Sequence, residues 1–109
     1  MKNILIFPQK NMRDLLQEKY KLSPRKLIAI HGGKLSQNKK TLELVKCVSR
    51  REDMYLLVFG KFISEEYERT VRDNSADNIL FLGELEQKEI YDYYLSSDYA
   101  IFPGGSKLS

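Results

Sequence analysis

The chain is 109 residues long, 42% hydrophobic and 30% charged, with a net charge of +3 at neutral pH. That length admits one domain, buries roughly 65% of the unfolded surface and has the composition of an ordinary globular protein; the charge is too small to argue for nucleic acid unaided. A single cysteine excludes an internal disulfide, and no apolar run approaches the ~20 residues of a membrane span. MKNILIFPQK lacks the apolar region and cleavage site of a signal peptide, so the expectation is a soluble, cytoplasmic protein.

Strand-like and helix-like patterns alternate along the chain. Asn3 to Phe7 reads as a short strand ended by Pro8. Met12, Leu15, Leu16 and Tyr20 then mark a helical face, with Asn11 placed to cap it and Pro24 beyond its end. Lys26 to His31 is a β run, followed by a helix with Leu42, Val45 and Val48 on one face, flanked by Leu44 and Cys47. Met54 to Phe59 is almost continuously apolar, as in a strand covered on both faces. Ser64 caps the next helix, where Glu65/Arg69 and Glu68/Arg72 are spaced for ion pairs and Tyr67 and Val71 form an apolar stripe. Ile79 to Leu82 is a strand, Ile90, Tyr91, Tyr94 and Leu95 face a helix inward, and Tyr99 to Phe102 is the last strand. This order predicts an α/β, doubly wound, Rossmann-like parallel sheet with right-handed crossovers. Two crossovers lead one way from the strand at Lys26 and a third reverses, so the spatial order is third, second, first, fourth.

The runs KLIAIHGG, MYLLVFG, NILFLG and DYAIFPGG each end at or beside glycine. In a parallel sheet these glycines are expected at the carboxyl ends of the strands, the edge where open α/β folds bind ligands, and a residue without a Cβ lets a ligand approach the backbone. Gly32-Gly33-Lys34 leads through four residues into Lys39, Lys40 and a helical pattern. Cations at a helix start oppose the macrodipole, and a bound phosphate, held by free N–H groups and both lysines, would resolve that conflict. Gly33, Lys34 and Lys39 are therefore the candidate phosphate-binding residues, with Gly60, Gly83, Leu85 and Gly104 marking further loops on the same edge.

Each candidate also has a plainer explanation. Lys39 and Lys40 also read as solvated lysines, a reading that suits Lys40 better. His31 has no cysteine or carboxylate beside it, which argues against a metal site. Cys47 reads as a small packing residue, and Tyr91 and Tyr94 read as core. Lys34 is followed by Leu35, so the loop is not a Walker A loop, and no dinucleotide fingerprint is present.

From about Leu27 to Pro103 the chain resembles the carboxyl-terminal, nucleotide-sugar-binding domain of group 1 (family 4) glycosyltransferases of GT-B type. The first strand in that family ends in Gly-Arg-Leu, with Lys-Gly three residues on; the matching stretch is Gly33-Lys34-Leu35-Ser36-Gln37-Asn38-Lys39-Lys40. Gly33 falls on the family's glycine, Lys34 on its arginine and Lys39 on its lysine, while Lys40 replaces the second glycine. VFGKF, NILFLGEL and SSDYAIFPG match the later strands. The resemblance implies that Lys34 and Lys39 bind the diphosphate of the sugar donor, although Lys34 lacks the bidentate fork of arginine. It also implies retaining transfer without a metal or any cofactor beyond the donor itself.

Two departures matter. The family carries a pair of glutamates after the last matched strand, whereas no glutamate follows Glu89 here. The facing acceptor-binding domain is also missing. The expectation is thus a piece of a larger enzyme: residues 1–25 as a lead-in strand and helix, and residues 26–109 as a truncated nucleotide-sugar-binding domain. Alone it should transfer no sugar and bind nucleotide weakly, at about −4 to −6 kcal/mol. The expected partners are the nucleotide-sugar donor, the missing amino-terminal domain and, through an unpaired strand edge or an apolar patch, a second copy of the fragment. Nucleic acid is not expected, and the resemblance places the full-length protein in the cytoplasm or at the inner membrane surface. The alternative is a flavodoxin-like or receiver-like domain that binds partners and catalyses nothing. A receiver needs clustered acids after its first strand, where this chain is basic.

Overall fold

The computed structural model describes residues 12–102; the expected Asn3–Phe7 strand, the Asn11 cap and Gly104 lie outside them. Apolar runs rich in Ile, Leu, Val and Phe form the strands, and amphipathic segments form the helices. In chain order these are α1 (Met12–Tyr20), β1 (Leu27–Leu35), α2 (Thr41–Ser49), β2 (Met54–Phe62), α3 (Glu65–Asp73), β3 (Ile79–Gly83), α4 (Gln87–Ser96) and β4 (Tyr99–Ala100). The four strands form one sheet in the order β3-β2-β1-β4, and every pairing is parallel. This is a Rossmann-like, doubly wound α/β arrangement, with β4 beside β1 rather than β3, as the crossover argument requires.

Alternation along the strands divides the core between the two faces. Ala29, Leu56, Val58 and Ile79 pack with Val45, Val48, Tyr67 and Val71 from α2 and α3. Ile28, Ile30, Leu57 and Phe59 pack on the other face with Leu16 and Leu22, rimmed by Ile90, Tyr93 and Tyr94. Helix α1 therefore shares the core of the sheet. Its Arg13 guanidinium donates to the Asp98 carboxylate at 3.0 Å and to the Lys26 carbonyl at 3.3 Å. Asp98 also accepts the Ile28 N–H at 2.8 Å, which ties together the feet of β1 and β4.

Several helix signals are realised as sequence chemistry dictates. The Ser64 hydroxyl accepts the Tyr67 N–H at 3.1 Å, capping α3, and Glu68 pairs with Arg72 at 2.9 Å on the same helix. Glu86 and Glu89 close a capping box on α4. No helix among the described residues is long and apolar enough to cross a membrane.

The last strand ends at Ala100 rather than Phe102, and three further expectations need correction. First, β1 and β2 do not end at His31 and Phe59; their pairing continues past the glycines to Leu35 and Phe62. Leu35 is 1% exposed and anchors the extension, while Gly33 and Gly60 are register partners whose backbones meet closely. Second, Tyr91 and Leu95 do not face inward: they are 63% and 64% exposed. Helix α4 turns Ile90, Tyr93 and Tyr94 to the core instead; Tyr91 and Leu95 follow Ile90 and Tyr94 by one residue each, about 100° round the helix. Third, Cys47 is exposed rather than packed. It precedes Val48 by one residue, about 100° round the helix from the buried stripe.

Candidate functional site

The carboxyl edge of the sheet is built from two Gly-Lys pairs. Gly33 pairs with Gly60 and Lys34 with Lys61, side by side on β1 and β2. Gly33 and Gly60 have φ of +111° and +115°, a region that L side chains rarely occupy. A Cβ on Gly60 would collide with the Gly33 carbonyl oxygen. The chain itself thus requires glycine at position 60, without reference to any ligand. At Gly33 the neighbour is different: the position of a Cβ would lie 3.2 Å from the Lys39 Nζ, so the ammonium lies over the glycine at this edge of β1.

Lys34 and Lys61 are both exposed. Being register partners, they share a face of the sheet, with backbones about 4.8 Å apart. Like charges placed directly opposite are destabilising unless something neutralises them. Both line an open cleft of about 300 Å³ together with Gly33, Gly60, Phe59, Glu84, Leu85 and Ile90. Lys39 comes to Gly33 from the loop before α2, outside the lining of that cleft. Of the positions expected from sequence, Gly33, Lys34, Gly60 and Leu85 line the cleft. Gly83 stands at the end of β3 with open space where a Cβ would project.

The start of α2 differs from expectation. Its first N–H groups are not free: Thr41 donates to the Ser36 carbonyl at 3.5 Å and Leu42 to the Tyr67 hydroxyl at 3.0 Å. That hydroxyl in turn donates to Ser36 O at 3.2 Å. Lys40 occupies the cap position with φ of 56°, and no side chain caps the helix. The α2 dipole therefore contributes less to an anion site than the lysines do, because internal acceptors already take two of its leading donors.

His31 is wholly buried on β1. Its Nδ1 lies 3.0 Å from the Ile101 carbonyl oxygen, and its Nε2 lies 2.9 Å from the Thr41 hydroxyl. A carbonyl only accepts, so Nδ1 carries the proton and Nε2 accepts from Thr41. Burial, and to a lesser degree the charge of Lys39, hold the imidazole below its ordinary pKa of 6.5, against the contrary pull of the Ile101 hydrogen bond.

A second hollow of about 210 Å³ separates α1 from α4, lined by Leu15, Leu16, Lys19, Glu89, Asp92, Tyr93 and Ser96. Burial and the neighbouring Tyr20 push the Tyr93 phenol up to about 12. Two carboxylates against one lysine make this hollow unsuited to an anion. No group of His, Cys, Asp and Glu among the described residues is placed to hold a metal ion.

Sequence reasoning missed Lys61, Phe59, Glu84 and Ile90 as cleft residues. The signal for Lys61 was present: VFGK repeats the Gly-Lys ending of HGGK, and parallel pairing sets the two side by side. No family model matches the chain, and no curated protein is similar to it in sequence.

Proposed function

We propose that this chain binds the diphosphate of a nucleotide sugar at the carboxyl edge of β1 and β2, as the donor-binding part of a retaining glycosyltransferase of GT-B type. The observation that carries the reading is the register pair Lys34–Lys61, with Lys39 over Gly33 at the same edge. A diphosphate lying across Gly33 and Gly60 would meet Lys34 and Lys61 on one side and Lys39 on the other. It would relieve their mutual repulsion, and the same cations would stabilise charge on a departing nucleoside diphosphate. Phe59, Leu85 and Ile90 supply the apolar wall for the rest of the nucleotide, and the Glu84 carboxylate can accept hydrogen bonds from ribose hydroxyls. The acceptor and the exclusion of water would come from a facing domain, so this chain alone should not transfer sugar.

Isothermal titration with UDP, GDP, pyrophosphate and sulfate tests the reading. Binding of the diphosphates at about −4 to −6 kcal/mol, weakening with salt and exceeding that of sulfate, is the expected result. Heats no larger for diphosphates than for sulfate would remove it.

A further inference from the structure

We propose that His31 is a positioning residue for the anion site, joining the loop that carries Lys39 to the end of β4 through the relay from the Thr41 hydroxyl to the imidazole to the Ile101 carbonyl. The inference rests on the anion reading above and adds to it a residue that touches no ligand. Thr41 is the first residue of α2, two positions after Lys39, and its side chain is fully buried. The imidazole holds it at 2.9 Å while donating from its other nitrogen to Ile101 at 3.0 Å. Ile101 follows β4 and donates its own N–H to Ile30 at 2.9 Å. One side chain thus fixes the lysine loop against β1 and β4, the strands that flank the reversal point of the sheet.

The arrangement also couples His31 to the site electrically. Lys39 is the charged side chain that acts on His31 among the described residues, and it disfavours protonation. The other groups on the ring are the Thr41 hydroxyl from α2 and the Ile101 carbonyl beyond β4, and neither is charged. An anion bound at Lys39 would cancel its repulsion and raise the pKa of His31.

His31 is the only histidine of the chain, so its ring resonances are unambiguous. The test titrates the full chain with inorganic pyrophosphate, by calorimetry and by NMR of the imidazole. The His31 titration midpoint should rise at saturating pyrophosphate. Thr41→Val and His31→Asn should bind pyrophosphate roughly five- to tenfold more weakly than the parent, the scale of one lost hydrogen bond, while circular dichroism shows them folded. Thr41→Ser, which keeps the hydroxyl, should restore affinity to within about twofold. An unmoved His31 midpoint in a parent that binds pyrophosphate overturns the proposal and requires no variant to fold. Parent-like affinity in folded Thr41→Val also overturns it; in both cases the anion site itself stands. No binding by the parent removes the anion site and the role of His31 together.

Discussion

The two faces of the sheet are built differently. The face under α2 and α3 is closed: Val45, Leu56 and Val71 are 0% exposed, and hydroxyls from Tyr67 and Thr41 knit its upper rim. The face under α1 and α4 is as closed at its centre, where Ile28, Ile30 and Leu57 are 0% exposed, but looser at its rim. Leu80, Leu82, Ile90, Tyr93 and Tyr94 are only partly buried there, and Leu15, Tyr91 and Leu95 stand out in solvent. The candidate site straddles this difference. Lys39 belongs to the loop anchored on the closed face, whereas Lys34 and Lys61 stand beside Phe59, Leu85 and Ile90 of the open one. A rigid face can preorganise a charge, while a partly filled face leaves room for a ligand.

That contrast can be broken at several points. The largest effect is expected in the closed core, where Leu56→Ala should destabilise by about 3 kcal/mol because the packed surroundings cannot collapse into the cavity. Leu82→Ala on the open face should cost only about 1 kcal/mol. Urea unfolding of the two variants compares the closed core with the rim of the open face, and equal losses would deny that difference.

The sheet edge offers a second comparison. Gly60→Ala should cost about 2–3 kcal/mol, since it combines backbone strain with a collision against the Gly33 carbonyl. Gly83→Ala, with open space around it, should bear only the strain of its positive φ, about 1 kcal/mol. Matching melting temperatures would show that the Gly33–Gly60 approach is looser than described.

Charge removal should separate binding from folding. Lys61→Ala should weaken UDP binding by about 1.5–3 kcal/mol, yet shift stability by less than about 0.5 kcal/mol. Lys40→Ala, whose side chain is exposed at the α2 cap, should do neither. Calorimetry on both variants, with thermal melts, distinguishes a site lysine from a solvated one.

The smallest effect is that of pH. The pKa of His31 is lower in the folded protein than its ordinary 6.5, so between those two values the unfolded chain binds more protons. The contribution of neutral His31 is therefore complete above 6.5 and is lost as pH falls below it. Unfolding free energies should decline through that window in the parent and decline less in His31→Gln. Parallel profiles would mean that the imidazole titrates alike in both states.

The strand order was legible because crossover handedness leaves few choices once four strands alternate with helices. The Ser64 cap and the Tyr67–Val71 stripe were legible because local chemistry decides them. What escaped was set by tertiary contact. Strands β1 and β2 outran their glycines because Leu35 is buried and Gly33 and Gly60 fit each other. Tyr91 and Leu95 faced solvent because the sheet and α1 selected the neighbouring positions of α4. At the site, Lys34 and Lys39 stood out in the sequence by their placement after glycine and before a helix. Lys61 carried the same Gly-Lys signal, but its place in the site followed only from the register that put it beside Lys34. The donors of α2 were claimed by Ser36 and by a tyrosine from another helix, which no local pattern reveals.

The most direct test of the site is a map of backbone amide shifts as UDP is added to the labelled chain. The account predicts that the largest changes fall on Gly33, Lys34, Lys39, Gly60, Lys61 and Leu85, with α3 silent. Changes centred on Leu15, Lys19 and Tyr93 in the α1–α4 hollow, or none at millimolar nucleotide, would contradict it.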